Sequence, residues 1–81
     1  MRRETFAIAN IYVPARLRAS LKPANVDAIV TSMLGGSEQT PILVRADGAR
    51  FVLVDGVHRL EAAKALGETM IGGYLVQARK H

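Results

Sequence analysis

An α+β domain with the element order β-α-β-β-α-β is predicted by three features of the sequence. These are short runs of β-branched and apolar residues, two helical stripes that each stop at glycine, and an Asp-Gly turn joining the middle pair of strands. A small sheet covered by two helices is the economical way to bury such elements. With 81 residues there is room for one domain, spanning 1–81.

Phe6, Ile8, Ile11, Tyr12 and Val13 make residues 5–13 the first strand, and Pro14 closes it. Residues 15–22 read as a basic connection without periodicity. Pro23 suits the first position of a helix. Val26, Ile29, Val30, Met33 and Leu34 then recur at the spacing of an amphipathic stripe, with Asp27 in the first turn and Gly35-Gly36 at the end. After a polar stretch, 37–40, residues 41–45 and 50–54 form a hairpin around Ala46-Asp47-Gly48-Ala49. Asp55-Gly56 breaks the second strand of that hairpin, a helix runs over 57–66, and Gly67 stops it. Residues 70–77 are the last strand, in which Gly72-Gly73 predicts a bulge or a close backbone approach.

Composition narrows the function classes. A 49% hydrophobic and 22% charged chain folds rather than staying disordered. Aromatics are confined to Phe6, Phe51, Tyr12 and Tyr74, which argues against a base-stacking platform. The absence of cysteine removes disulfides, thiolate metal sites and thiol nucleophiles. With His58 and His81 the only imidazoles, no metal site is expected, and no carboxylate cluster supports nuclease chemistry. Neither a membrane-spanning apolar run nor a leader is visible, so a cytoplasmic location is the expectation. The net charge is +4, and its distribution is uneven: Arg2, Arg3, Arg79, Lys80 and His81 sit at the termini, and Arg16, Arg18 and Lys22 cluster near the start. Solvated termini are the favoured reading. Nucleic acid held by Arg16, Arg18 and Lys22 would be bound weakly, without sequence preference and with steep salt dependence. A core this thin leaves aliphatic side chains near the surface, compatible with a protein partner or a homo-oligomer.

The second helix carries the chemistry. On a helical wheel Leu60, Ala62, Ala63 and Leu66 share the buried face, Glu61 and Lys64 the wet one. Arg59 falls on the buried side in the first turn, and His58 at the edge of the same arc. A cation there opposes the helix dipole by about 0.3–1 kcal/mol, and a buried guanidinium needs an anion. Free N–H groups point at the same place, and Gly56 has no side chain to hold a ligand away. A phosphate would answer all of this. The competing arrangement has Asp55 capping the helix and pairing with Arg59, with nothing bound. Residue chemistry alone weighs the two equally. His58 is likewise either a spacer or the partner of Glu61.

The run Gln39-Thr40-Pro41-Ile42-Leu43-Val44-Arg45, and beyond it Phe51-Val52-Leu53-Val54-Asp55-Gly56-Val57-His58-Arg59-Leu60-Glu61-Ala62-Ala63, resembles the ParB N-terminal domain of the ParB/sulfiredoxin superfamily. That family has a Gln-Pro-Ile-x-Val strand, a hairpin and a Gly-x-x-Arg-x-x-Ala-Ala helix start. The resemblance covers nearly the whole chain and implies a mixed sheet. It also implies a nucleotide whose phosphates lie at the helix start. ParB proteins bind and hydrolyse CTP there as part of a DNA-loading clamp. Sulfiredoxins use a Gly-Gly-Cys-His-Arg version with ATP, and archaeal free-serine kinases an Asp-Gly-His-His-Arg version with ADP. Carried over by position, Gly56, Val57, His58 and Arg59 would hold phosphate, with Gln39 and Thr40 bordering the cleft and Asp55 matching the kinase acid. Val57 replaces the sulfiredoxin cysteine, which excludes sulfinic-acid reduction. ParB proteins have Glu-Arg where this chain has Val57-His58. The sequence also stops where a partition protein would continue into a helix-turn-helix domain. The expectation is therefore a stand-alone ParB-like module binding a nucleoside di- or triphosphate (CTP, ATP or ADP, with or without Mg²⁺), regulatory or partner-binding in role. Its rivals are a small phosphotransferase or nucleotide hydrolase using Asp55, and a weak, non-specific DNA-binding protein.

Overall fold

Alternation along the strands sorts a five-stranded sheet into two faces, one buried under helices and one open. The computed structural model describes residues 2–76. The strands are β1 (Arg3–Ala7), β2 (Ile11–Tyr12), β3 (Ile42–Asp47), β4 (Arg50–Asp55) and β5 (Met70–Val76). The helices are α1 (Ala15–Ala19), α2 (Pro23–Leu34) and α3 (Val57–Ala65). The strand order is β1-β5-β3-β4-β2. The β1/β5 and β3/β4 pairs are antiparallel, the β3/β5 and β2/β4 pairs parallel, so the sheet is mixed as expected.

The first predicted strand is in fact two. Ile8–Asn10 form a 3-10 turn that carries the chain from one edge of the sheet to the other, β1 beside β5 and β2 beside β4. Ile8 and Ile11 are both buried, and the Ile8 N–H donates to the Thr69 carbonyl at 2.9 Å. β-Branched residues suit either arrangement, which is why composition read them as one strand. Residues 15–22 contain α1, opened where the N–H groups of Leu17 and Arg18 donate to Pro14 O at 3.0 and 3.1 Å. A five-residue helix is too short to show periodicity. Its Leu17, with Leu21, packs against the core. Pro23 does open α2, but the first turn holds no acid; Asp27 lies one turn further on.

Helix α3 lies on the sheet through Val57, Leu60, Ala62 and Ala63, with Leu66 half-buried, and α2 packs chiefly on α3 with no fully buried residue of its own. Both helices end in the hydrogen-bond pair of a Schellman motif. At the end of α2, Gly36 N–H donates to Met33 O and Ser37 N–H to Ser32 O. At the end of α3, Gly67 N–H donates to Lys64 O and Glu68 N–H to Ala63 O. The hairpin loop is Gly48-Ala49, between the paired Asp47 and Arg50. Of the two readings of Gly72-Gly73, close approach is the one observed. β5 pairs in regular register on both sides, and a Cβ on Gly73 would lie 2.8 Å from both Cγ1 and the carbonyl oxygen of Ile42. The expected end of that strand, Gln77, and the cationic Arg79, Lys80 and His81 lie outside the described residues.

The core is aliphatic: Ile42, Val44, Leu53, Leu60 and Ile71 have almost no exposed surface, and Phe6 meets Phe51 edge-on at 5.0 Å between ring centres. Leu60 is the side chain through which α3 grips the sheet. Leu60→Ala is expected to lower unfolding free energy by about 2–5 kcal/mol, read by urea denaturation. A loss below about 1 kcal/mol would mean that this contact is not central to the fold.

On the opposite face, Leu43, Val54, Tyr74 and Val76 are half-buried, Tyr12 is exposed beneath Arg50 and Val52 is buried at 4% exposure, with Asp55 opposite Leu43 in the register; none of these belongs to the core cluster. Leu17 and Leu21, the anchors of the N-terminal connection, pack with the core, as α3 does.

Candidate functional site

The site is prepared by an irregularity in the hairpin. Val44 pairs with Leu53 but Leu43 pairs with Asp55, so Val54 is an extra residue on β4. Such a bulge bends its strand and re-aims the chain beyond it. Two residues past the bulge stands Gly56, at φ 101° and ψ 32°, the residue that starts α3. Helix hydrogen bonding begins when the Leu60 N–H donates to Gly56 O at 2.9 Å. The N–H groups of Val57, His58 and Arg59 precede that bond, and no side chain caps them. Gly56 is demanded by the fold itself. A Cβ there would meet Ile42 Cγ2 at 2.8 Å, so the missing side chain faces β3 rather than clearing a path for a ligand.

The arrangement in which Asp55 caps α3 and pairs with Arg59 does not occur. Asp55 is exposed and makes no side-chain cap, and the ion pairs among the described residues are Arg3–Glu38, Arg50–Asp47 and Lys64–Glu61. Arg59 is half-buried, with Nη1 3.6 Å from Met33 Sδ on α2 and, among the described residues, in no ion pair. It lines an open cleft of about 460 Å³ together with Gln39, Arg3, Ser37, Leu66 and Glu68. Gln39 is held at that wall by donating from Nε2 to Ser32 Oγ and Ser37 O, both at 3.1 Å. Thr40 is exposed.

His58 does something that neither sequence reading contained. Its Nε2 accepts the backbone N–H of Lys22 at 2.9 Å, across 36 residues. While that bond holds, the ring's remaining proton is on Nδ1. Glu61 is occupied instead by Lys64, at 3.2 Å. Lys22 is the N-cap residue of α2, so the bond joins the starts of two helices. It also brings the basic segment against the site. Lys22, Arg16 and Arg18 are all exposed, Arg18 Nη2 donating to Val13 O at 3.2 Å. Arg18, Val13, Leu21 and Val57 border a second, smaller cleft of about 220 Å³. Asp55, Gly56, His58 and Thr40 line none of these clefts. The structure thus gathers Arg59 and Gln39 on one side of the α3 start, and Val57 with the basic segment on the other. No pattern in the sequence announces the Lys22–His58 contact, because a bond from a backbone N–H leaves no mark on residue choice at the donor.

A mixed sheet whose hairpin feeds, through a left-handed glycine, into an exposed helix start is the fold this chain shares with sulfiredoxin and ParB structures. Residues 4–81 match the ParB N-terminal domain, and the chain belongs to that family. Three solved structures give the fold its context. Sulfiredoxin from Arabidopsis thaliana superposes with a TM-score of 0.83 at 22% identity, covering 96% of this chain and 88% of that one. The C-terminally truncated chromosome-partitioning protein ParB from Caulobacter crescentus, complexed with CTP-γ-S, gives 0.80 at 18% identity over 99% of this chain and 47% of its own. A free serine kinase mutant in complex with ADP gives 0.80 at 18% identity over 94% of this chain and 31% of its own. The chain therefore spans about half of the ParB structure and a third of the kinase. Among curated proteins nothing matches the sequence.

Proposed function

We propose that this chain is a nucleotide-binding module that receives phosphate at the start of α3. The carrying observation is the unpartnered cationic first turn. Three N–H groups stand ahead of the first helical bond, beside a half-buried arginine that is in no ion pair among the described residues. The donor set fits a phosphate: peptide N–H groups and the positive helix end complement its charge, and a guanidinium offers paired donors. Two structural relatives were solved with CTP-γ-S and with ADP, which supports a nucleoside di- or triphosphate as the ligand class. In this reading Val57, His58 and Arg59 hold the phosphates, and Gln39 and Thr40 border the way in. The role is regulatory or partner-binding, exercised through the nucleotide-bound state.

A phosphate oxygen taking a donor from His58 requires a proton on the ring nitrogen that faces it. His58 Nε2 is an acceptor for Lys22. Nucleotide capture and the Lys22 contact thus draw on the same imidazole.

Calorimetric titration with ATP, ADP, CTP and GTP, each with and without Mg²⁺, tests the proposal. At least one is expected to bind with micromolar affinity, about −8 kcal/mol. Silence from all four beside a control that responds sinks it. A second reading is favoured by the state of Asp55. This residue is exposed and outside every ion pair among the described residues, so its carboxylate is available as a base beside the phosphates. In the enzyme reading Asp55→Asn binds nucleotide normally but loses turnover, whereas turnover that survives the change removes it.

A further inference from the structure

We infer that helix α2 is the element that responds to occupancy of the α3 start: a ligand bound there unfastens it. This rests on the nucleotide reading and concerns the regulation of that same site. The attachment of α2 is light. No residue of the helix is fully buried, and none of its apolar side chains packs on the core cluster. Val26, Ile29, Val30 and Met33 are half-buried, and Leu34 is 74% exposed. Among the described residues no ion pair joins α2 to another element. An element held in this way opens at a lower free energy than the core beneath it.

Its polar fastenings run to the candidate site. Lys22, the N-cap residue, donates its N–H to His58 Nε2 at 2.9 Å. Ser32 Oγ accepts from Gln39 Nε2 at 3.1 Å, and Met33 Sδ lies 3.6 Å from Arg59 Nη1. Among the described residues these are the side-chain hydrogen bonds that tie α2 and its cap to the rest of the chain. Their far ends are His58, Gln39 and Arg59, the side chains placed around the incoming phosphates.

The two uses of these side chains compete. An anion needs donors. Both amide protons of Gln39 are committed, to Ser32 Oγ and Ser37 O. His58 Nε2 carries no proton while it accepts from Lys22. Arg59 gives up little by turning to a phosphate, because a thioether is a weak acceptor. Each donor that the ligand recruits is thus withdrawn from α2, which keeps only its half-buried stripe. At its far end the exposed Gly35-Gly36 pair, with open space around Gly36, lets the helix swing. Linkage makes the effect reciprocal: loosening α2 from its own side must strengthen binding.

The test is amide hydrogen exchange of the full chain, read residue by residue by NMR, beside calorimetry with ATP, ADP, CTP and GTP in Mg²⁺. In the ligand-free parent, amides 29–34 are expected to exchange about tenfold faster than amides 60–63. A saturating nucleotide is expected to speed them further relative to α3. His58→Phe keeps a ring but loses the acceptor, and is expected to speed them without any ligand. Ser32→Ala removes a fastening and leaves the proposed phosphate residues in place. It should both speed α2 exchange and raise nucleotide affinity about two- to tenfold, the worth of one hydrogen bond. The inference is overturned if α2 and α3 amides exchange at one rate in every sample, or if Ser32→Ala binds more weakly than the parent. It is overturned equally by a nucleotide that gives heat while α2 exchange stays the same or slows, as when the imidazole donates through Nδ1 and keeps Lys22. Heat from none of the four removes the nucleotide reading and this inference with it, a result distinct from heat without release.

Discussion

Gly56→Ala is expected to destabilise the protein by about 2–5 kcal/mol, the sum of two independent penalties. An L-residue held in left-handed backbone costs about 1–2 kcal/mol, and φ at Gly56 is 101°. Overpacking adds about 1–3 kcal/mol, because the new methyl would stand 2.8 Å from Ile42 Cγ2 and 3.3 Å from its Cα. Ile42 has little room to retreat: it is 1% exposed, and its other γ-carbon and its carbonyl already fill the space a Cβ on Gly73 would need. A domain of this size has roughly 4–12 kcal/mol in total. The melting temperature should therefore fall by at least about 8 °C, at about 4–8 °C per kcal/mol. Gly67→Ala is the control. It shares the positive φ, at 74°, but a Cβ there meets nothing within 4 Å, so it should suffer the backbone penalty alone. Equal losses in the two variants would mean that Ile42 yields freely and that the bulge-to-helix junction is softer than its geometry implies.

The same junction shows how far the sequence was legible. The hairpin, both glycine helix stops and the α3 stripe are local features, set by turn chemistry and by spacing within a dozen residues, and they lie where the pattern placed them. The break at Ile8–Asn10 was not legible. Residues on both sides of it are β-branched and buried, and only the pairing partners, β5 for one half and β4 for the other, distinguish two strands from one. Gly56 stands out in the sequence at the right position but for a different reason. Its missing side chain reads there as room for a ligand, whereas the structure makes it the consequence of a positive φ against Ile42, a constraint that arises only once β3 is alongside. Asp55 neither caps α3 nor pairs with Arg59, and it follows a bulge at Val54, a register property that a single strand's sequence does not encode. His58 is the sharpest case, since its partner is a backbone amide 36 residues away.

Arg59→Met is expected to separate binding from stability. If phosphate sits on the α3 start, the guanidinium contributes a charge-assisted interaction of about 1.5–3 kcal/mol, a loss of roughly ten- to over a hundred-fold in nucleotide affinity at about 1.4 kcal/mol per decade. The fold should not suffer equally. Without ligand the charge opposes the dipole of its own helix by about 0.3–1 kcal/mol, and its nearest partner is a thioether, Met33 Sδ at 3.6 Å, rather than an anion. Met is also unbranched and adaptable, suited to the space beside Met33. The variant should therefore unfold at the same denaturant concentration as the parent or a higher one while binding nucleotide far more weakly. A structural arginine would give the opposite pair of results, stability lost and affinity kept, because its worth would lie in contacts present before any ligand arrives. Arg59→Lys falls between: it keeps the charge but not the planar fork, so affinity returns only in part. Full recovery with lysine would show that the site reads charge alone, and that the inward placement of the guanidinium is incidental to recognition.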